Sequence, residues 1–223
     1  MLQDLTDWNL FMNPYATIAS ILVALLVGAM SPGASFVVVA RRSISLSRRD
    51  GLATAVGMGA GGVAFSCLAL FGIYTLLATV SWLYIALKVT GGAYLVFLAT
   101  KIWRGAKTPL VINGDEHSAH GRTGQSFWQG FATQLSNPKT AIVYGSIFAA
   151  LLPHHPGQWY YLVLPPLVFG VEAGWYSFVA ICLSSKGPRI LYIAIKAWID
   201  RLAGCVMTII GLRLILTAFK PGA

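Results

Sequence analysis

Charge is scarce in this chain. Of its 223 residues only 10% are Asp, Glu, Lys or Arg, and just 7 of those are acidic. A soluble domain carries roughly 25% charged residues, so a water-covered surface on a chain this short is excluded. Cysteine is scarce too. Cys67, Cys182 and Cys205 each sit inside an apolar run, where a thiol behaves as a small hydrophobe. No disulfide framework or metal-ligand spacing is present. The start, Met1-Leu2-Gln3-Asp4-Leu5-Thr6-Asp7, lacks the basic residues of a secretory leader, so the first apolar run is expected to stay in the mature protein. Phosphate-cradling loops are missing as well, and Gly145-Ser146 has no following glycine to make a nucleophile elbow. Nothing here points to an enzyme, a catalytic residue or a cofactor.

What is abundant is apolar surface: 57% of the residues, with a mean hydropathy of +0.70. A bilayer core takes about 20 apolar residues per helical span. Apolar runs occupy 15–40, 52–80, 82–103, 127–152, 159–184 and 202–219. The expectation is an all-α polytopic membrane protein of six transmembrane helices. Its single membrane domain covers 1–223, and a polar linker at 105–125 separates its halves.

The net charge of +9 lies in short loops rather than on a nucleic-acid-binding face. Arg41, Arg42, Arg48 and Arg49 follow the first run. Lys101, Arg104, Lys107 and Arg122 surround the link from the third to the fourth. Lys186, Arg189, Lys196 and Arg201 lie between the fifth and sixth. With six spans all of these share one side, the cytoplasm by the positive-inside rule, and both termini face outward. The other side holds Asp4, Asp7, His154, His155 and Lys220. Trp8, Tyr15, Trp82, Tyr84, Trp159, Tyr160 and Tyr161 mark the outer interface, and Trp103, Trp128 and Trp198 the inner one. The linker, with Asp115, Glu116, His117 and His120, reads as flexible and cytoplasmic, with a metal site as the lesser reading. The stretch 189–199 reads as a separate helix lying in the interface before the last span.

The halves resemble each other. Gly57-Met58-Gly59-Ala60-Gly61 matches Gly170-Val171-Glu172-Ala173-Gly174, and at the same offset Gly91 meets Gly204 and Lys88 meets Arg201. Ser31-Pro32 meets Asn137-Pro138 at a slightly smaller offset. Because each half holds an odd number of spans, the second is inverted relative to the first. Repeat one runs over about 14–104 and repeat two over about 126–219. Proline removes a backbone N–H, and freed polar backbone is tolerated at membrane depth only inside protein or beside a wet cavity. Paired breaks in inverted repeats therefore point to a secondary transporter with its site between the halves. Simple packing kinks are the plainer reading. The spacing of Gly57 with Gly61, and of Gly170 with Gly174, suits close helix packing.

Charged residues deep in a span are functional candidates. Glu172 lies about 12 residues, or roughly 18 Å, into the fifth span, and Lys139 lies at a similar depth in the fourth. They form a structural ion pair, or bind the two ends of a zwitterion, or Glu172 exchanges the coupling proton. Trp175 and Tyr176 sit beside Glu172, lining the solute path or filling the core. Lys88 and Arg213, nearer span ends, are expected to snorkel to the interface.

Ser31-Pro32-Gly33-Ala34-Ser35-Phe36, the basic Arg48-Arg49-Asp50-Gly51-Leu52, and Gly130-Phe131-Ala132-Thr133-Gln134-Leu135-Ser136-Asn137-Pro138-Lys139 together resemble the lysine exporter / threonine–homoserine exporter (LysE/RhtB) family. The resemblance covers essentially the whole chain. It implies a proton-driven exporter of amino acids or similar metabolites in a bacterial inner membrane, working by alternating access. Pro32 and Gly33 match the family's first break, and Asn137, Pro138 and Lys139 its second. One departure stands out. Gly59, Gly61 and Gly62 occupy a span where members often carry an acidic or amide residue, which leaves Glu172 as the expected deep carboxylate. The substrate-binding set is then Ser31, Pro32, Gly33, Asn137, Pro138, Lys139, Glu172, Trp175 and Tyr176, with Glu172 also coupling protons. Partners are the solute, protons and lipid, and homo-oligomerisation stays open. A membrane scaffold or assembly factor, and an exporter of inorganic ions, are the competing functions.

Overall fold

The computed structural model describes residues 14–79, 81–106, 123–153 and 156–218. Asp4, Asp7, Trp8, His154, His155, Lys220 and the 107–122 part of the linker lie outside the described residues, as do the linker's acidic and histidine side chains. Within the described residues every regular element is a helix: α1 Pro14–Met30, α2 Ala34–Ser45, α3 Arg48–Thr79, α4 Ser81–Gly105, α5 Thr123–Ser136, α6 Pro138–Leu151, α7 Gln158–Leu183 and α8 Lys186–Ala218.

Two proline positions explain why the first and fourth apolar runs are each two helices. α1 and α2 are bent by 61° about the gap at Ser31-Pro32-Gly33. The second gap is a single residue. Pro138 disfavours helical backbone at the residue before it, and Asn137 is extended, with φ −80° and ψ 107°. Proline then starts α6, where its missing N–H is harmless, and the Asn137 side chain caps the new helix by accepting from the Lys139 N–H at 3.0 Å.

α3 and α7 are each long and apolar enough to cross a bilayer, within Arg48–Gly72 and Gln158–Leu183, and the bent α1–α2 pair makes a third such element. Their outward faces carry Leu68, Phe71, Leu162 and Phe178, all exposed, as lipid-solvated helices require. Tyr15, Trp82, Trp103 and Trp128 are exposed near helix ends, and Trp198 is exposed part-way along α8. Tyr160 departs from the expected outer belt and is buried.

α3 packs most extensively on α7 and α5, and α4 on α8. Glycine permits the close approaches. A Cβ on Gly59 would stand 2.8 Å from that of Ala173 across the α3–α7 crossing, and one on Gly92 would stand 2.6 Å from the Gly211 carbonyl across α4–α8. Gly57 and Gly61 press on Phe127, Phe131 and Gln134 of α5. The matching Gly170 and Gly174 do not pack; they face open space. The reason is unequal cover: α5 lies tightly along α3, whereas α1 touches α7 far less.

Two further expectations change. The 189–199 stretch is no separate helix but the first part of a continuous α8. No proline or glycine interrupts the join, and a Lys196–Asp200 ion pair of 2.7 Å, one turn apart, spans it. Lys88 does not snorkel; only 4% of it is exposed.

Candidate functional site

Two apolar clusters divide the interior. One gathers Ile21, Leu25, Leu95, Ile147, Phe148 and Leu164; the other gathers Phe36, Val39, Met58, Val179 and Leu183. Between them lies a polar hollow to which Ser31, Gly33, Ser35, Gln134, Asn137, Lys139, Tyr144, Glu172 and Tyr176 all contribute. It is narrow, with room for water but not for a larger solute.

Lys139 takes its place from the first helix break. In an unbroken helix the Gly28 carbonyl would accept from the N–H of residue 32, but that residue is proline and has none. The Lys139 ammonium supplies the missing donor at 3.1 Å and also donates to the Ser31 carbonyl at 2.9 Å. A cation at the carbonyl end of α1 further suits the helix dipole. The Trp175 indole N–H donates to the neighbouring Ala29 carbonyl at 3.1 Å.

Glu172 is 3% exposed. Its carboxylate accepts from the Tyr144 hydroxyl at 2.9 Å and from the Gln134 amide at 3.1 Å. The Gln134 carbonyl oxygen accepts from Ser35 at 2.7 Å, and Ser35 in turn accepts from the Asn137 amide at 3.0 Å. A hydrogen-bonded chain thus runs from the second break, through the first turn of α2, to the buried carboxylate. The Tyr176 hydroxyl lies at Ser35. Lys139 and Glu172 share the hollow without a direct ion pair, each held by its own partners.

A second, wider hollow adjoins the first. Ser31, Gly33, Asn137 and Lys139 line both, whereas Pro32, Pro138, Tyr94, Lys101, Lys196 and Asp200 line the wider one alone. Of the residues singled out from sequence, Trp175 lines neither hollow and acts on the α1 carbonyls instead. Ser35, Gln134 and Tyr144 were missed. Ser35 and Gln134 were in view as parts of motifs, but an ordinary-looking polar residue gives no sign of its distant partner.

The three glycines that replace the expected polar residue on α3 acquire a spatial reason. A Cβ on Gly62 would stand 2.8 Å from the Tyr144 hydroxyl and 3.0 Å from Glu172 Cγ, and one on Gly61 would stand 2.6 Å from the Gln134 Cβ. The space vacated at Gly61 and Gly62 is filled by Gln134 of α5, Tyr144 of α6 and Glu172 of α7. Glu172 is not alone among buried carboxylates: Asp50 and Asp200 are 6% and 3% exposed. Asp50 accepts from Ser47, just before α3, and from Ser126 of α5, while Ser47 caps α3 by accepting from the Asp50 N–H.

Residues 26–218 match the family model described as LysE type translocator. The chain belongs to the LysE type translocator family. As a member it is a membrane transporter rather than an enzyme. The LysE-type chain is 29% identical over 193 residues to a protein named threonine efflux protein from Salmonella typhimurium, covering 86% of this chain and 94% of that one. It is 28% identical, with the same coverage, to the threonine efflux protein of Escherichia coli. An uncharacterized membrane protein of Escherichia coli, YahN, is 29% identical over 83% of this chain and 82% of its own length. No solved structure matches.

Proposed function

We propose that this LysE-type protein exports an amino acid or a similar small zwitterion from the bacterial cytoplasm, driven by the proton gradient. The observation that carries the reading is a cation and a carboxylate, Lys139 and Glu172, facing one hollow at two crossed helix breaks. An amino acid presents the complementary pair of charges. The relatives named threonine efflux protein favour the same solute class.

In this reading six spans form one membrane domain of two inverted repeats, 14–104 and 126–219, joined by a linker at 105–125, with both termini outside the inner membrane. The cross-half pairing of α3 with α7 and α4 with α8 supports it, since an inverted pair places corresponding helices against one another. So does the close approach of Gly92 to Gly211, which recurs as that of Gly204 to Ala99 at nearly the repeat offset. Ser31, Pro32, Gly33, Asn137, Pro138, Lys139, Glu172 and Tyr176 form the solute path, with Trp175 positioning the end of α1.

Glu172 is the proposed proton carrier. As a carboxylate it accepts from the Gln134 amide. With the proton on the oxygen that faces Gln134, that oxygen becomes a donor, and the amide turns its own oxygen toward it. That turn takes the acceptor away from Ser35, which bonds Asn137 at the second break. Proton occupancy would thereby reset the contacts holding both broken helices, the two-state element that alternating access needs.

Inside-out vesicles bearing the protein should accumulate labelled L-threonine or another member of an amino-acid panel, and a protonophore should abolish the accumulation. If no member of the panel moves, the exporter reading fails. If movement persists unchanged without the proton gradient, the coupling is wrong.

A further inference from the structure

Asp200 is placed where the exporter reading did not look. It sits on α8, outside the polar hollow, and lines the wider vestibule together with Lys101, Lys196 and Lys139. One carboxylate oxygen, Oδ2, accepts from the Lys196 ammonium at 2.7 Å. The other, Oδ1, is buried and has no hydrogen-bond partner. A carboxylate oxygen withdrawn from water without a donor is unfavourable, and on a residue that lines a cavity it marks where a ligand would supply the missing donor once the side chain turns toward it.

The neighbouring ammonium leaves that oxygen unmet. Lys196 already divides its ammonium between Asp200 and the Gly105 carbonyl at the end of α4, 3.4 Å away. Lys101 stands on the same wall as an exposed cation. The vestibule is therefore lined by a carboxylate with one unmet oxygen and by an exposed cation, next to the helix breaks. Lys101 and Lys196 both belong to the basic clusters assigned to the cytoplasmic side, the side from which an exporter loads.

We infer that the vestibule is an entry site for a zwitterionic solute, in which Asp200 Oδ1 accepts the ammonium group and Lys101 meets the carboxylate before the solute passes to Lys139 and Glu172. The inference rests on the exporter reading for its ligand class. It adds a loading site separate from the polar hollow and gives Asp200 a role in recognition. Binding there sets the concentration at which the transporter loads, whereas the steps at Glu172 set its turnover.

The test is the concentration dependence of labelled L-threonine uptake by inside-out vesicles carrying wild-type, D200N, D200E or K101A protein. D200N keeps the shape and neutralises the charge, so KM should rise about tenfold with Vmax within about twofold, a loss of roughly 1.4 kcal/mol of binding. D200E should restore most of the affinity. Inhibition by 2,3-dihydroxybutyrate, which has a hydroxyl in place of the ammonium, should be the same for wild type and D200N. An unchanged KM in D200N overturns the inference. So does a parallel shift in KM and in inhibition by the hydroxy acid, which would make Asp200 structural, with water on Oδ1. If D200N does not yield folded protein, K101A decides at an exposed position: a raised KM supports the entry site and an unchanged KM overturns it. Wild-type protein that carries no amino acid sinks the exporter reading itself, whereas wild-type transport with unaltered KM in the variants sinks the entry site alone.

Discussion

The Lys139 ammonium occupies the hydrogen-bonding position that Pro32 leaves vacant, donating to the Gly28 carbonyl at 3.1 Å from a helix 111 residues further along the chain. A motif in one half of the protein thus completes a defect in the other half. Asn137 returns the link by donating to Ser35, just after the first break. The two breaks are a single cross-linked unit.

Replacing Lys139 with Met removes that donor while keeping most of the aliphatic stem. Efflux should be abolished, and the loss of donors to the Gly28 and Ser31 carbonyls should destabilise the protein by about 1–3 kcal/mol. Transport in vesicles and thermal melting in detergent read the two effects separately. Normal efflux by K139M would remove Lys139 from the solute path.

Glu172→Gln keeps an oxygen acceptor for Tyr144 or Gln134 but carries no exchangeable proton. Gradient-driven efflux should be lost while exchange of labelled for unlabelled solute across proteoliposomes persists. A variant that still concentrates solute against a gradient would rule out Glu172 as the proton carrier.

Pro32→Ala gives residue 32 an N–H and permits α1 to run on toward α2. Alanine is about 3 kcal/mol more favourable than proline inside a helix, so the melting temperature should hold or rise. Transport should nonetheless fall by about tenfold or more, because the carbonyls at the break become satisfied within the helix. Full activity in P32A would show that the bend serves packing alone.

Gly62→Ala and Gly174→Ala form a matched pair on α3 and α7. The first places a methyl against the Tyr144 hydroxyl and Glu172 Cγ and should impair efflux and lower the melting temperature. The second meets nothing within 4 Å and should be neutral or slightly stabilising, as alanine favours helix by about 0.5–1 kcal/mol over glycine. Equal effects at both positions would refute the packing described for α3.

Much of this architecture was legible in the chain. The apolar runs gave helices in the expected places, since hydropathy and length act locally. Both proline breaks were readable because proline's missing N–H belongs to the residue itself. The likeness between the halves misled at Gly170 and Gly174, whose counterparts pack tightly; sequence similarity does not convey how closely a third helix approaches. The join at 199–201 also escaped, because a mixed apolar and basic stretch fits an interfacial helix and the start of a long span equally well. Lys196 and Asp200 decide between them by pairing across one turn.

The sequence by itself determined that this chain is helical, apolar and interrupted at Pro32 and Pro138, because those properties follow from each residue's own chemistry. Only the tertiary structure decided that Lys139 serves the Gly28 carbonyl, that Gln134 and Ser35 connect Glu172 to the second break, and that one oxygen of Asp200 is buried without a partner. Hydrogen bonds between groups a hundred residues apart depend on how helices cross, and the glycines that permit those crossings act through the side chains they lack.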